Sequence, residues 1–149
     1  MTDAPDLQVK RLRPSATMPQ RATPHASGLD LYADLTEAGG AINLSPQPQL
    51  IPTGIAVAVP SGYEVQLRPR SGLSRRGVVV AFGTIDADYR GEVFVNMSAP
   101  GAEGGRFLIE HGDRIAQLVV APIVLADVVE VDELSDTERG AGGFGSTGR

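Results

Sequence analysis

Two aspartates separated by one residue, with a tyrosine directly after the second, stand in GTIDADYRGE, from Gly83 to Glu92. Carboxylates this close can differ in proton affinity, which lets one act as a general base. Spacing alone favours the plainer account, a polar hairpin between two apolar strands, because turns favour aspartate and glycine anyway. RPRSGLS, from Arg68 to Ser74, ends a strand at a proline and leads Arg70, Ser71 and Gly72 into a helical turn. A guanidinium fork, a hydroxyl and the free N–H groups of a helix start form an anion site, and a capped turn beside a solvated arginine accounts for the same residues.

Three further segments carry polar groups in telling places. In ASGLDLYA, Asp30 lies between Leu29 and Leu31, which a strand turns to the opposite face, and Gly28 allows a close approach. Alone, this aspartate reads as a turn or edge residue. In GDRIAQLVV, Gln117 interrupts an apolar strand and so belongs to a hydrogen-bond network or faces a ligand, while Asp113 and Arg114 read as a structural ion pair. RGAGGFGSTGR closes the chain. It lacks the lysine of a phosphate loop and the strand-helix-strand setting of a dinucleotide fingerprint. What is left is the kit for a lid: Arg139, Phe144, Ser146 and Thr147 on a bendable backbone.

The elements that must position these groups are strands. No stretch repeats apolar residues at helical spacing, whereas YEVQLRP and VVEVDEL alternate as half-buried strands do. IAVAV, GVVVAF, EVFVNM and RIAQLVV read as strands buried on both sides. Turn signals recur near Gly39, Ser45, Val59, Ala99 and Glu110. Short strands so spaced predict a sandwich or barrel. The single helical turn expected is SGLSRRG, with Ser71 as cap and Gly77 as stop.

At 149 residues the chain is expected to form one domain, a β core over 1–138 followed by a mobile lid over 139–149. The absence of cysteine rules out thiolate metal sites, and two histidines make a zinc enzyme a poor expectation. A net charge of −5 argues against a nucleic-acid partner. No apolar run is long enough to span a bilayer and no signal sequence is read, so a cytoplasmic protein without a membrane partner is expected. Of 13 basic residues only Lys10 is a lysine, which suits bidentate contacts to phosphate and equally a GC-rich genome.

Taken in order, ASGLDLYA, PRSGLS, GTIDADYRGE, GDRIAQLV and RGAGGFGSTG resemble the five motifs of the trimeric dUTP pyrophosphatases, from Ala26 to Gly148. The resemblance implies a compact jelly-roll-like β fold, assembled as a homotrimer with active sites at subunit interfaces. It implies hydrolysis of dUTP to dUMP and pyrophosphate with Mg²⁺ on the triphosphate, which keeps uracil out of DNA and supplies dUMP for thymidylate synthesis. By the same carry-over Asp86 is the base, and Tyr89 lies beneath the deoxyribose and rejects a 2′-hydroxyl. Gly83, Thr84 and Ile85 read the uracil edge. Arg70, Ser71 and Gly72 hold phosphates, Asp30 reaches Mg²⁺ through water, and Gln117 meets the α-phosphate or the attacking water. Arg139 binds the γ-phosphate, Phe144 stacks on uracil, and Phe94, Gly145, Ser146 and Thr147 join the substrate contacts. Two features depart from the pattern. RRGVVVAF is shorter than in many relatives and lacks the asparagine often found there, which leaves open what Val80, Ala81 and Phe82 contribute. A dCTP deaminase shares the fold, but it needs a glutamate where this chain reads VFVNMS with Asn96. A non-catalytic trimeric nucleotide-binding module would have no use for a base beside Tyr89, and a capsid-type jelly roll would leave the five motifs as coincidence.

Overall fold

The computed structural model describes residues 4–143 and 145. In chain order its strands are β1 (Gln8–Arg11), β2 (Leu29–Tyr32), β3 (Ala41–Leu44), β4 (Gln49–Ala58), β5 (Tyr63–Arg68), β6 (Val79–Val80), β7 (Gly83–Ile85), β8 (Glu92–Ser98), β9 (Phe107–Glu110) and β10 (Arg114–Pro122). One helix, α1 (Ser71–Arg75), follows β5, and short 3₁₀ turns occupy Thr36–Ala38 and Glu103–Gly105.

The strands form one sheet in the order β1-β4-β8-β6, a second in the order β2-β10-β5-β7, and a β3-β9 pair, all antiparallel. Alternation decides which face is buried. On β5, Val65 and Leu67 turn inward while Glu64, Gln66 and Arg68 form an outer ladder, with Arg68 Nε donating to Gln66 Oε1 at 3.0 Å. On β8, Val93, Val95 and Met97 turn inward. Residues from both four-stranded sheets, Leu31, Val65, Ile115 and Leu118 from one and Ile51, Ile55, Val93 and Val95 from the other, share a single core cluster. This is the all-β, jelly-roll-like sandwich with one short helix that the motifs imply. No helix among the described residues is long and apolar enough to cross a membrane.

Four local expectations give way. VVEVDEL is not a strand: β10 ends at Pro122, and beyond it Val124, Val128 and Leu134 are almost fully exposed and pair with none of the strands. The segment between Gly83 and Gly91 is no hairpin, since β7 pairs with β5 and β8 pairs with β4, so this stretch carries the chain from one sheet to the other. GVVVAF and EVFVNM are not buried on both sides, since Val79, Phe82 and Phe94 face outward. Ser71 is the first helical residue rather than the cap. That place falls to Arg70, in extended conformation and without a side-chain capping bond, while Gly77, at φ 82°, follows the helix end as expected.

Candidate active site

Where the chain crosses between the sheets it leaves a pocket of about 240 Å³, lined by Leu67, Gly83, Thr84, Ile85, Asp86, Tyr89, Glu92, Val93 and Phe94. The floor is sequence-driven: Ile85 is buried in the core, so the next residue, Asp86, is carried outward at the strand end. A tight turn follows, closed by the Tyr89 N–H on the Asp86 carbonyl at 3.1 Å. Asp86 takes part in none of the ion pairs among the described residues. The Tyr89 ring is half exposed over the pocket, and its hydroxyl donates to the Glu92 carbonyl at 2.9 Å.

Glu92 is the second carboxylate of the pocket, and it is not free. Arg13 grips it with Nη2 on Oε1 at 2.6 Å and Nη1 on Oε2 at 3.2 Å, and the Gly54 N–H donates to Oε1 at 2.9 Å. Arg13 also donates from Nε to Asp34 Oδ2 at 2.9 Å. The pairing with Glu92 outweighs the cost of burial and holds the Arg13 guanidinium well above its ordinary pKa, with Asp34 adding to the effect. Burial by itself pushes Asp34 up, but hydrogen bonds from Thr36, Arg13 and Ser15 more than offset it and hold its pKa below 3.8. One carboxylate of the pocket is therefore locked in a structural network, and the other, Asp86, is available for chemistry.

A second cluster forms at the far side of the same sheet. Asp30 on β2 forms an ion pair with Arg70, Nε to Oδ1 at 3.1 Å, and accepts from Arg114 Nη1 on Oδ2 at 3.3 Å, while Arg70 Nη1 donates to the Arg114 carbonyl at 3.0 Å. Gln117 donates to the Pro69 carbonyl at 2.9 Å and packs against Gly28, where a Cβ would lie 2.6 Å from Gln117 Oε1. Gln117 is thus half-buried and satisfied. Asp113 and Arg114 do not pair as expected: Asp113 accepts from the Glu110 N–H at 2.9 Å, and a register shift between Arg114 and Ala116 turns Arg114 towards Asp30 instead. Ser71 and Gly72 are exposed at the start of α1, whose first N–H groups have no partner within the helix.

Strand register measures the gap between these groups. Leu29, Leu118, Leu67 and Gly83 form one row across the four strands, and Asp30, Gln117 and Arg68 form the next. β2 and β7 are the outer strands, so Asp30 stands about 14 Å from the β7 edge, three strand spacings away. The structure thus gathers Gly83, Thr84, Ile85, Asp86, Tyr89 and Phe94 in one place, and Asp30, Arg70 and Gln117 in another. Of the tail, Arg139 Nε donates to the Gly142 carbonyl at 2.9 Å and Gly145 is exposed, and no bond among the described residues ties either to the clusters. Phe144, Ser146 and Thr147 lie outside the described residues. Val80 is buried, the Ala81 N–H is taken by the Asn96 carbonyl at 2.9 Å, and Phe82 stands exposed beside the pocket.

Motif reading passed over Arg13 and Glu92. Glu92 follows Asp86 closely enough to have been weighed as a second carboxylate, but its partner lies 79 residues away and no local pattern announces it.

A sandwich with a free carboxylate at one sheet edge and an arginine-bearing cluster at the other belongs to the class of all-β proteins equipped to hold a phosphorylated ligand. Residues 14–148 match the family dUTPase, and the chain belongs to that family. It is 48% identical over 146 residues to a deoxyuridine 5′-triphosphate nucleotidohydrolase of Syntrophotalea carbinolica, spanning 95% of this chain and 96% of that one. A protein of the same name from Nautilia profundicola is 47% identical over 96% of this chain and 99% of its own. Among solved structures, a mutant dUTPase of Staphylococcus bacteriophage 80alpha with dUpNHpp superposes with a TM-score of 0.87 at 32% identity, covering 98% of this chain and all of that one. A mutant dUTPase from phage phi11 of S. aureus, described for the coordination of a structural Mg(II) ion, gives a TM-score of 0.77 at 29% identity, covering 87% of this chain and 98% of that one.

Proposed function

We propose that this chain hydrolyses dUTP to dUMP and pyrophosphate, with Asp86 as the base. The observation that carries the reading is the unpaired, exposed Asp86 in a pocket whose other carboxylate, Glu92, is held by Arg13. Asp86 takes a proton from a water molecule while the water oxygen bonds to the α-phosphorus. The bond from that phosphorus to the bridging oxygen breaks, and pyrophosphate leaves with the electron pair. Tyr89 offers a ring face beneath the sugar that leaves no room for a 2′-hydroxyl. Gly83, Thr84 and Ile85 face the uracil edge, with Phe94 on the opposite wall. The locked Glu92 also speaks against a dCTP deaminase, which needs a carboxylate free to move protons.

At the other edge Arg70, Ser71, Gly72 and Gln117 would meet the phosphates, where fixed cations offset charge that builds on the leaving group. A cation fits there only through the substrate. Among the described residues no group of three or more His, Cys, Asp or Glu could hold a metal, and both Asp30 oxygens are already paired with arginines. Each Asp30 oxygen keeps a further lone pair, which suits an outer contact to a hydrated Mg²⁺ carried by phosphate oxygens. Mg²⁺ so bound would neutralise the triphosphate and stabilise the departing pyrophosphate.

The separation of the two clusters supports a site shared between copies, one supplying the β7 edge and another the Asp30 edge. The exposed apolar side chains of the segment after β10, Val124, Val128, Val129 and Leu134, support the same assembly, a homotrimer in which they are covered by another copy. The tail from Arg139 to Thr147 would close over bound nucleotide, with Arg139 on the γ-phosphate and Phe144 on the base. This activity lowers dUTP and supplies dUMP in the cytoplasmic nucleotide pool, where we assign the chain. The test is pyrophosphate release with Mg²⁺ from dUTP, dCTP, dTTP and UTP in parallel. Release from dUTP alone is expected. Ammonia from dCTP would instead support the deaminase, and inertness towards all four would leave a binding module.

A further inference from the structure

The Tyr89 hydroxyl reaches the Glu92 carbonyl over the intervening Gly91, where a Cβ would lie only 2.3 Å from that hydroxyl. Any other residue at 91 would displace the ring tip, so the contact depends on the glycine. The carbonyl it meets is fixed in turn, because the Glu92 side chain receives both Arg13 Nη groups and the Gly54 N–H. That N–H is free for the purpose because β4 shifts register between Pro52 and Ala56, a bulge with Gly54 at φ 70°. Arg13 is anchored from behind by Asp34, which is buried and also accepts from Ser15 and Thr36 at 3.0 Å and 2.8 Å. An unbroken series of short polar contacts thus runs from the interior to the pocket rim, where Glu92 and Tyr89 line the pocket.

We propose that Arg13 is a positioning residue for Tyr89: through Glu92 it fixes the ring at the sugar position and so sets how strongly a 2′-hydroxyl is rejected. The inference rests on the reading of Tyr89 given under Proposed function. The physical need is stiffness. A ring excludes one extra oxygen only if it cannot retreat, and a small misplacement within a site costs a large factor in rate. A planar fork that grips both carboxylate oxygens supplies that stiffness, whereas an ammonium on a flexible stem does not.

The test compares kcat/KM for dUTP and UTP, by pyrophosphate release with Mg²⁺, in the natural sequence, Arg13→Lys, Gly91→Ala and Tyr89→Phe, with Tm measured on each. Gly91→Ala is expected to fold, since its methyl meets only the movable end of the Tyr89 side chain. The preference for dUTP over UTP is expected to fall about tenfold or more in all three. Arg13→Lys placed on Tyr89→Phe is expected to add little, because both break the same series. If Arg13→Lys does not fold, Glu92→Gln, which keeps an acceptor for Gly54 and weakens the arginine grip, reads the same ratio. A lower Tm with both substrates slowed in equal proportion would leave Arg13 a merely structural residue and overturn the proposal, as would an unchanged ratio in Gly91→Ala and Tyr89→Phe. Natural protein inert towards dUTP would overturn the functional reading itself, an outcome plainly distinct from an active enzyme whose selectivity ignores Arg13.

Discussion

The two edges of the β2-β10-β5-β7 sheet are held in opposite ways. At the β7 edge the groups facing the pocket are braced from inside, by a network that starts at the buried Asp34 and passes through Arg13 and Glu92. At the β2 edge Asp30, Arg70 and Arg114 hold one another, with side chains 13%, 26% and 51% exposed, and no buried group stands behind them. The difference matches the roles proposed for the two edges. Rejecting a methyl or a 2′-hydroxyl requires walls that do not yield, whereas receiving a triphosphate requires cations that can leave one anion for another. Arg114 is the exposed member of this group, so its pair with Asp30 contributes little to stability and is the readier to exchange.

The sharpest way to break this comparison is to remove the group proposed as the base on the braced edge. Asp86→Asn is expected to fold and bind nucleotide with unchanged Tm while losing about a thousandfold in kcat, since proton transfer contributes on that order. A variant that still releases pyrophosphate at near the natural rate would sink the assignment of the base. Next comes the tail. Truncation before Arg139 is expected to keep the assembly by sedimentation and to lose about a hundredfold in kcat/KM, through phosphate positioning and water exclusion. A truncated protein as active as the intact one would remove the lid.

Arg70→Ala tests the exchangeable edge. It removes one charge-assisted contact to phosphate and frees one Asp30 oxygen, so KM for dUTP is expected to rise about thirtyfold, or roughly 2 kcal/mol. Tm should move little, because Asp30 keeps its pair with Arg114. A fall in Tm comparable to that of a core substitution would mean that this edge is braced after all, and the contrast between the edges would disappear.

What the sequence disclosed follows the same division. Asp86, Tyr89, Asp30, Arg70 and Gln117 stand out in the sequence through the order of the five motifs, whereas their local spacing alone reads as turns and edges. Arg13, Glu92 and Asp34 are not, because their pairing spans most of the chain and is made by a bulge in β4 that no spacing signals. Asp113 and Arg114 mislead for the opposite reason. Adjacent opposite charges suggest a pair, yet Asp113 closes the turn before β10 on the Glu110 N–H while Arg114 opens the strand and reaches Asp30. VVEVDEL misleads because alternation reports a strand's wish to pair and not whether its partner lies in the same chain. Its exposed valines are an observation on which the proposed assembly rests.

The smallest expected effect is also the one that isolates the brace itself. Asp34 has a folded pKa below its ordinary value of 3.8, so its contribution to stability is fully present above that value and is lost as pH falls through the lower, folded one. Asp34→Asn keeps the shape and most of the hydrogen bonding but removes the charge that anchors Arg13. It is expected to cost about 1.5 kcal/mol at pH 7 by urea unfolding, the scale of one hydrogen bond to a charged group. Other carboxylates titrate over the same acid range in both proteins, so the quantity to follow is the difference between them. That difference should hold steady from pH 7 to about pH 4 and then shrink as Asp34 protonates in the natural protein. If it stays constant down to pH 2, the charge is not what secures Arg13, and the rigidity of the Tyr89 edge must come from packing around Thr53 and Val93 instead.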